Sequence, residues 1–269
     1  MAVKKKGHKL LDLGLSGKTV LVTGATQGIG ASVAKSYAAE GCNIIAFSRS
    51  ESKLRELELS IRRNSKVSVA TFAVDLRNRF SINTIPCHFL QADILVNVAG
   101  DIPKGDLVSL DESIWRNAWD LKVFGYINLT RAVYGYMKER SKGSIVNIIG
   151  TSGENPNFDT IAVSSANAAL ISFTKSLAGQ SHEHNVRVNG INPGPTETPR
   201  QVSRLKLLAH EKFGDSERWR DLLSTYPFRR LATPSEIASA TLFLSSEQAS
   251  YISGSILTID GGRQFQGTK

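Results

Sequence analysis

Lys18-Thr19-Val20-Leu21-Val22-Thr23-Gly24-Ala25-Thr26-Gln27-Gly28-Ile29-Gly30 decides the fold. Its first half is a short apolar, β-branched run, long enough for one strand buried on both faces. Its second half is a glycine turn that opens onto Ala31–Glu40, where helical spacing is filled by strong helix formers. In this context Gly24 permits the sharp turn, Gly28 lets backbone N–H groups approach a pyrophosphate, and Gly30 lets the helix pack close to the strand. Thr26, Gln27 and Ile29 fill the turn between them. The positive end of the helix dipole then faces the phosphates.

Three further strand-like runs follow. Asn43–Ser48 ends without the carboxylate that would accept hydrogen bonds from the ribose hydroxyls of NAD. Ser48 and Arg49 stand there instead, a hydroxyl and a guanidinium suited to a 2′-phosphate, so NADP(H) is expected, with NAD(H) as the alternative. Val67–Val74 leads into Asp75 and Leu76 at the adenine edge, and Ile94–Asn97 leads into small residues, Ala99 and Gly100, that let the backbone lie near the adenosine. Repeated strand–helix alternation over 269 residues with 41% hydrophobic content predicts one doubly wound α/β domain over residues 14–269. The exception is Leu76–Gln91, too short and irregular for a full helix, with Pro86 inside it.

The order of these segments carries a resemblance. Thr23-Gly24-Ala25-Thr26-Gln27-Gly28-Ile29-Gly30 resembles the TGxxxGIG motif of the short-chain dehydrogenase/reductase family, and Asn97-Val98-Ala99-Gly100 is similar to its NNAG motif with one asparagine changed. Asn192-Pro193-Gly194-Pro195 with Thr198 resembles the family's segment after the sixth strand; by that resemblance Pro193, Gly194 and Thr198 meet the nicotinamide carboxamide. Tyr251–Gly254 and Asp260-Gly261-Gly262 match the usual ending. The resemblance implies a Rossmann-type doubly wound parallel sheet with helices on both faces. It also implies a small-molecule substrate, a helical lid over residues 200–224, and a dimer or tetramer formed through the long helices Asp111–Arg140 and Ala162–Ser181.

The catalytic positions depart from that family, whose chemistry rests on an asparagine, a serine, a tyrosine and a lysine. The serine position is Gly150; the tyrosine position, thirteen residues on, is Val163; the lysine position, four beyond that, is Asn167; and the asparagine position is Lys122. Two expectations follow. Valine and glycine transfer no protons, so the chain is a nucleotide-binding pseudoenzyme with a sensing or assembly role. Alternatively, the exchange of Lys122 and Asn167 keeps a cation and an amide facing one another, and the site is a rewired NADP(H)-dependent carbonyl or alcohol oxidoreductase. In the second case Thr151 and Ser152 are candidates to orient a carbonyl, and Glu154 is a candidate general acid if its carboxyl is held protonated beside an apolar ring.

Composition bounds the rest. A net charge of +9 is spread over the chain, with a basic arm in residues 1–13 (Lys4, Lys5, Lys6, Lys9) that lacks interleaved aromatics. It argues for no nucleic-acid partner. Cys42 and Cys87 form no disulfide framework, no metal-ligand spacing is present, and no apolar run reaches spanning length, so a cytoplasmic chain without a membrane partner is expected. In the lid, Arg204, Lys206, Lys212, Arg218 and Arg220 interrupt the apolar residues. They either meet an anionic substrate or form a solvated face.

Overall fold

The computed structural model describes residues 12–266; the basic arm expected at residues 1–13 lies, apart from its last two residues, outside them. Seven strands form one parallel sheet: β1 (Thr19–Thr23), β2 (Asn43–Ser48), β3 (Val69–Ala73), β4 (Ile94–Asn97), β5 (Gly143–Ile148), β6 (Val186–Pro193) and β7 (Ile256–Ile259), in the order β3-β2-β1-β4-β5-β6-β7. The order reverses between β1 and β4, and a crevice opens there at the carboxyl ends of the strands.

Strand periodicity explains the two cores. Val20 and Val22 of β1, with Ile44 and Ala46 of β2 and Ile94 and Val96 of β4, face one layer. That layer holds α1 (Gly28–Ala39), α2 (Glu51–Asn64) and α8 (Pro234–Ser245). Leu21, Ile45, Phe47 and Leu95 point the other way, toward α3 (Cys87–Leu90), α5 (Gly125–Glu139) and α6 (Ile161–Ser181). Strands buried on both faces need apolar residues at every position, and these supply them.

The irregularity predicted for Leu76–Gln91 is present: a single 3₁₀ turn, Ser81–Thr84, and the four-residue α3 are its only helical pieces. Asp111–Arg140 is not one uniform helix. α4 (Glu112–Trp119) passes into a wide π turn, Asp120–Phe124, before α5, and the Gly125 N–H reaches back to the Asp120 carbonyl. The segment expected as a lid begins at Thr198, whose hydroxyl accepts the Gln201 N–H, with Pro199 at the first helical position. α7 (Pro199–Phe213) ends at Gly214, held at φ 73°. With the 3₁₀ stretch Ser216–Thr225 it encloses a small core of Leu205, Ala209, Trp219, Leu223 and Leu231. No helix among the described residues is long and apolar enough to cross a membrane.

Candidate active site

The first cavity, about 830 Å³, occupies the crevice above β1 and β4. Gly24, Thr26, Gln27, Gly28, Ile29 and Gly30 line it from the turn, Ser48 and Arg49 from the end of β2, and Leu76, Ala99, Gly100 and Thr198 from the facing loops. A Cβ at Gly30 would collide with the Gly24 carbonyl oxygen, so only glycine lets α1 start this close to the turn. The cavity therefore keeps bare backbone where a pyrophosphate needs it. At its far end Ser48 Oγ and Thr26 Oγ1 lie 3.0 Å apart, and Arg49, Ser50 and Lys53 converge. Lys53 was not anticipated; its place four residues after Arg49, in the first turn of α2, was a legible signal. Two cations and three hydroxyls, with no carboxylate among them, fit the 2′-phosphate of NADP(H). Arg49→Ala is expected to weaken NADPH binding about tenfold and leave NADH binding within twofold. Calorimetric titration of both nucleotides checks this.

Two residues expected at the cofactor lie elsewhere. Asp75 is exposed and does not line this cavity: its carboxylate accepts the Arg77 N–H at 3.0 Å and pairs with the Arg77 guanidinium at 3.5 Å. Asn97 is fully buried below the crevice, donating to Asn147 Oδ1 at 2.9 Å and Thr130 Oγ1 at 3.1 Å. Asn147 Nδ2 in turn donates to Thr174 Oγ1. Buried amides without partners are costly, and this chain of amides ties β4 and β5 to α5 and α6. The side chain of Asn97 is thus structural.

The second cavity, about 490 Å³, adjoins the first through Ile29, Val98, Gly100, Thr198 and Arg200. It receives Lys122, Gly150, Thr151, Ser152, Val163, Asn167, Pro193 and Gly194, so the altered positions meet at one place. Glu154 does not line it. Its carboxylate lies on an exposed loop and accepts from Thr258 Oγ1 at 3.3 Å, in β7. The candidate general acid is lost by direction, not by distance in sequence.

Lys122 defines the floor. The π turn brings it inward, only 8% exposed, against Gly100, where an added Cβ would lie 2.8 Å from Lys122 Cδ. Its Nζ donates to the carbonyl oxygens of Ile148 at 2.9 Å and Ile149 at 3.1 Å, and more weakly to Tyr126 Oη at 3.4 Å. Burial, and after it the positive charge of Arg200, push its pKa down to about 7. Tyr126, also buried, donates to the Ile148 carbonyl at 2.9 Å, and burial pushes its phenol pKa up. The lysine therefore has a phenol four residues along its own helix, a spacing visible in the sequence but not singled out there.

Asn167 sits across the same cavity. Its Nδ2 donates to Ser152 Oγ at 2.9 Å, so the Ser152 O–H remains available to donate. Among the described residues no hydrogen bond joins Asn167 to Lys122. The exchanged cation and amide share a cavity, each bonded to other partners. Of the other hydroxyls near Val163, Ser164 is bonded to Thr160 at 3.1 Å and Ser165 to the Ile161 carbonyl at 2.8 Å. Over the top, Arg200 pairs with Asp101 at 3.4 Å and donates to the Ile102 carbonyl, linking the lid to the loop after β4.

A glycine-lined crevice at the reversal of strand order, with a second cavity adjoining it, has the layout of a nucleotide-binding α/β scaffold. The chain belongs to the short-chain dehydrogenase family: residues 18–206 match the model described as short chain dehydrogenase. It is 36% identical over 257 residues to 2,3-dihydro-2,3-dihydroxybenzoate dehydrogenase from Bacillus subtilis, covering 93% of this chain and 97% of that protein. It is 32% identical to the 3-oxoacyl-[acyl-carrier-protein] reductase FabG of Thermotoga maritima, covering 92% and 98%. Its backbone is similar to that of L-sorbose reductase from Gluconobacter frateurii complexed with NADPH and L-sorbose, with TM-score 0.87, 32% identity, and 93% and 98% of the two chains covered.

Proposed function

We propose that this chain is an NADP(H)-dependent oxidoreductase that interconverts a carbonyl and an alcohol, with Lys122 handling the proton that a tyrosine handles in ordinary members. The observation that carries this is the Lys122 amine, buried at the cavity floor on two carbonyl oxygens with a pKa near 7. NADPH, when bound in the first cavity, supplies a hydride to the carbonyl carbon. Lys122 as an ammonium donates a proton to the developing alkoxide, and as an amine it takes the alcohol proton in the reverse direction. Its long contact to Tyr126 Oη is the one a substrate oxygen exchanges for. Ser152, held as an acceptor by Asn167, presents its own O–H to the carbonyl beside Thr151. Asn167 positions; it does not transfer a proton. The NADPH-bound sorbose reductase supports NADP(H) as the cofactor. A small-molecule substrate, a dimer or tetramer through α5 and α6, and a cytoplasmic setting belong to the same reading.

The test is a titration with NADPH and NADH, followed by a carbonyl screen in which NADPH oxidation is read by absorbance. NADPH binding with turnover of at least one carbonyl compound is the expected result. NADPH binding without any turnover across aldehydes, ketones and oxo acids would instead support the pseudoenzyme, because Val163 offers the site no acid of its own. Failure to bind either nucleotide would overturn both readings.

A further inference from the structure

The second cavity has a charge pattern that proton transfer does not require. Lys104, Lys122, Arg200, Arg204 and Arg263 line it, and no aspartate or glutamate does. Three of the five are engaged. Lys104 pairs with Asp159 at 3.3 Å, Arg200 with Asp101 at 3.4 Å, and Lys122 is held by the carbonyls of Ile148 and Ile149. Arg204 and Arg263 have no carboxylate partner among the described residues.

The lid's other cations are disposed of locally. Lys206 pairs with Glu217 at 2.7 Å and Arg218 with Asp221 at 2.8 Å. Lys212 lies over the Phe213 ring, Arg220 over Trp219, and neither lines the cavity. A solvated helix face accounts for these; Arg204, also exposed, differs from them in lining the cavity. Arg263, from the turn Arg263–Phe265 after β7, stacks at 4.2 Å over the ring of Tyr226, itself a cavity residue. Stacking fixes the guanidinium plane and leaves its N–H edge for an acceptor, the arrangement suited to a carboxylate or phosphate. Ile102, Ile149 and Val163 supply an apolar wall in the same space.

We propose that Arg204 and Arg263 hold an anionic group, carboxylate or phosphate, of a substrate whose apolar body lies along Ile102, Ile149 and Val163 and whose reacting oxygen meets Lys122. The reacting oxygen rests on the oxidoreductase reading above; the anion site does not. The field of the remaining cations draws such a ligand inward and disfavours neutral competitors.

The experiment is calorimetric titration of the NADP⁺-saturated protein with 4-phenylbutyrate, phenyl phosphate and neutral 4-phenylbutyramide. Saturation with NADP⁺ removes the cofactor's own phosphate sites as competitors. At least one anion is expected to bind at least tenfold more tightly than the amide, and the stronger of the two names the group. Arg204→Gln and Arg263→Gln are each expected to weaken that anion at least tenfold and leave NADP⁺ affinity unchanged. Equal binding of the amide, anion binding indifferent to both variants, or no anion binding would overturn the proposal. Arginine-dependent anion binding in a protein that reduces no carbonyl compound would keep the anion site and overturn the oxidoreductase reading, so the two fail separately.

Discussion

Lys122→Met is expected to lower kcat/KM for carbonyl reduction by at least about a hundredfold, the lower end of what a positioned acid–base group contributes, while NADPH still binds. The sign of the pH dependence follows from the depressed pKa. Below about 7 Lys122 is an ammonium and donates; above it the amine predominates, so the reduction rate falls as pH rises through about 7, and the oxidation rate rises through the same range. The groups facing Nζ are the Tyr126 phenol, whose pKa burial raises, and the Arg200 guanidinium. The raised phenol ionises well above that window, and no carboxylate lines the cavity. Lys122→Arg keeps a cation that does not titrate there and is expected to lose the inflection. A Lys122→Met enzyme with an undiminished rate and the same inflection would assign the proton to another group.

The scaffold was legible because its signals are local and redundant. β2 was expected at Asn43–Ser48 and is found there, since a strand buried on both faces leaves an unbroken apolar run bounded by polar residues. The nucleotide turn was legible because Gly24 and Gly28 take the positive φ that glycine favours and Gly30 packs where a Cβ would strike the Gly24 carbonyl. The site was less so, because direction is set by distant partners. Glu154 points away because its acceptor oxygen finds Thr258, 104 residues on. Asn97 turns into the interior because Asn147 and Thr130 wait there. Lys122 was placed on its helix by spacing, but the π turn that turns it into the cavity has no signature in the residues Asp120–Phe124. Tyr126 was missed for a plain reason: a buried tyrosine reads as core until the carbonyl it shares with Lys122 is seen. Arg263, one residue past the Asp260-Gly261-Gly262 ending and not singled out in the sequence, reaches the cavity through the packing of β7 beside β6.

Gly150 and Asn167 yield the second large effect, and it bears on whether the four altered positions decayed one by one. Gly150 has φ 145° and ψ 144°, a region that side-chain-bearing residues rarely enter, and a Cβ there would lie 2.7 Å from Asn167 Nδ2. Gly150→Ala is therefore expected to destabilise the protein by about 3 kcal/mol, summing backbone strain and overpacking of ~1–3 kcal/mol each. Asn167→Ala removes the obstructing amide and its hydrogen bond to Ser152, at a cost of about 1–2 kcal/mol. If the amide fills the volume that a side chain at position 150 would need, the double variant is less destabilised than the sum by about 1 kcal/mol, a coupling that a denaturant-unfolding double-mutant cycle resolves. Strict additivity would mean that Asn167 swings aside freely and that the two positions changed independently. With the coupling present, Gly150→Ser introduced without a change at Asn167 meets an occupied site. Restoring the ordinary serine then requires moving the amide first, which ties the state of position 150 to that of position 167.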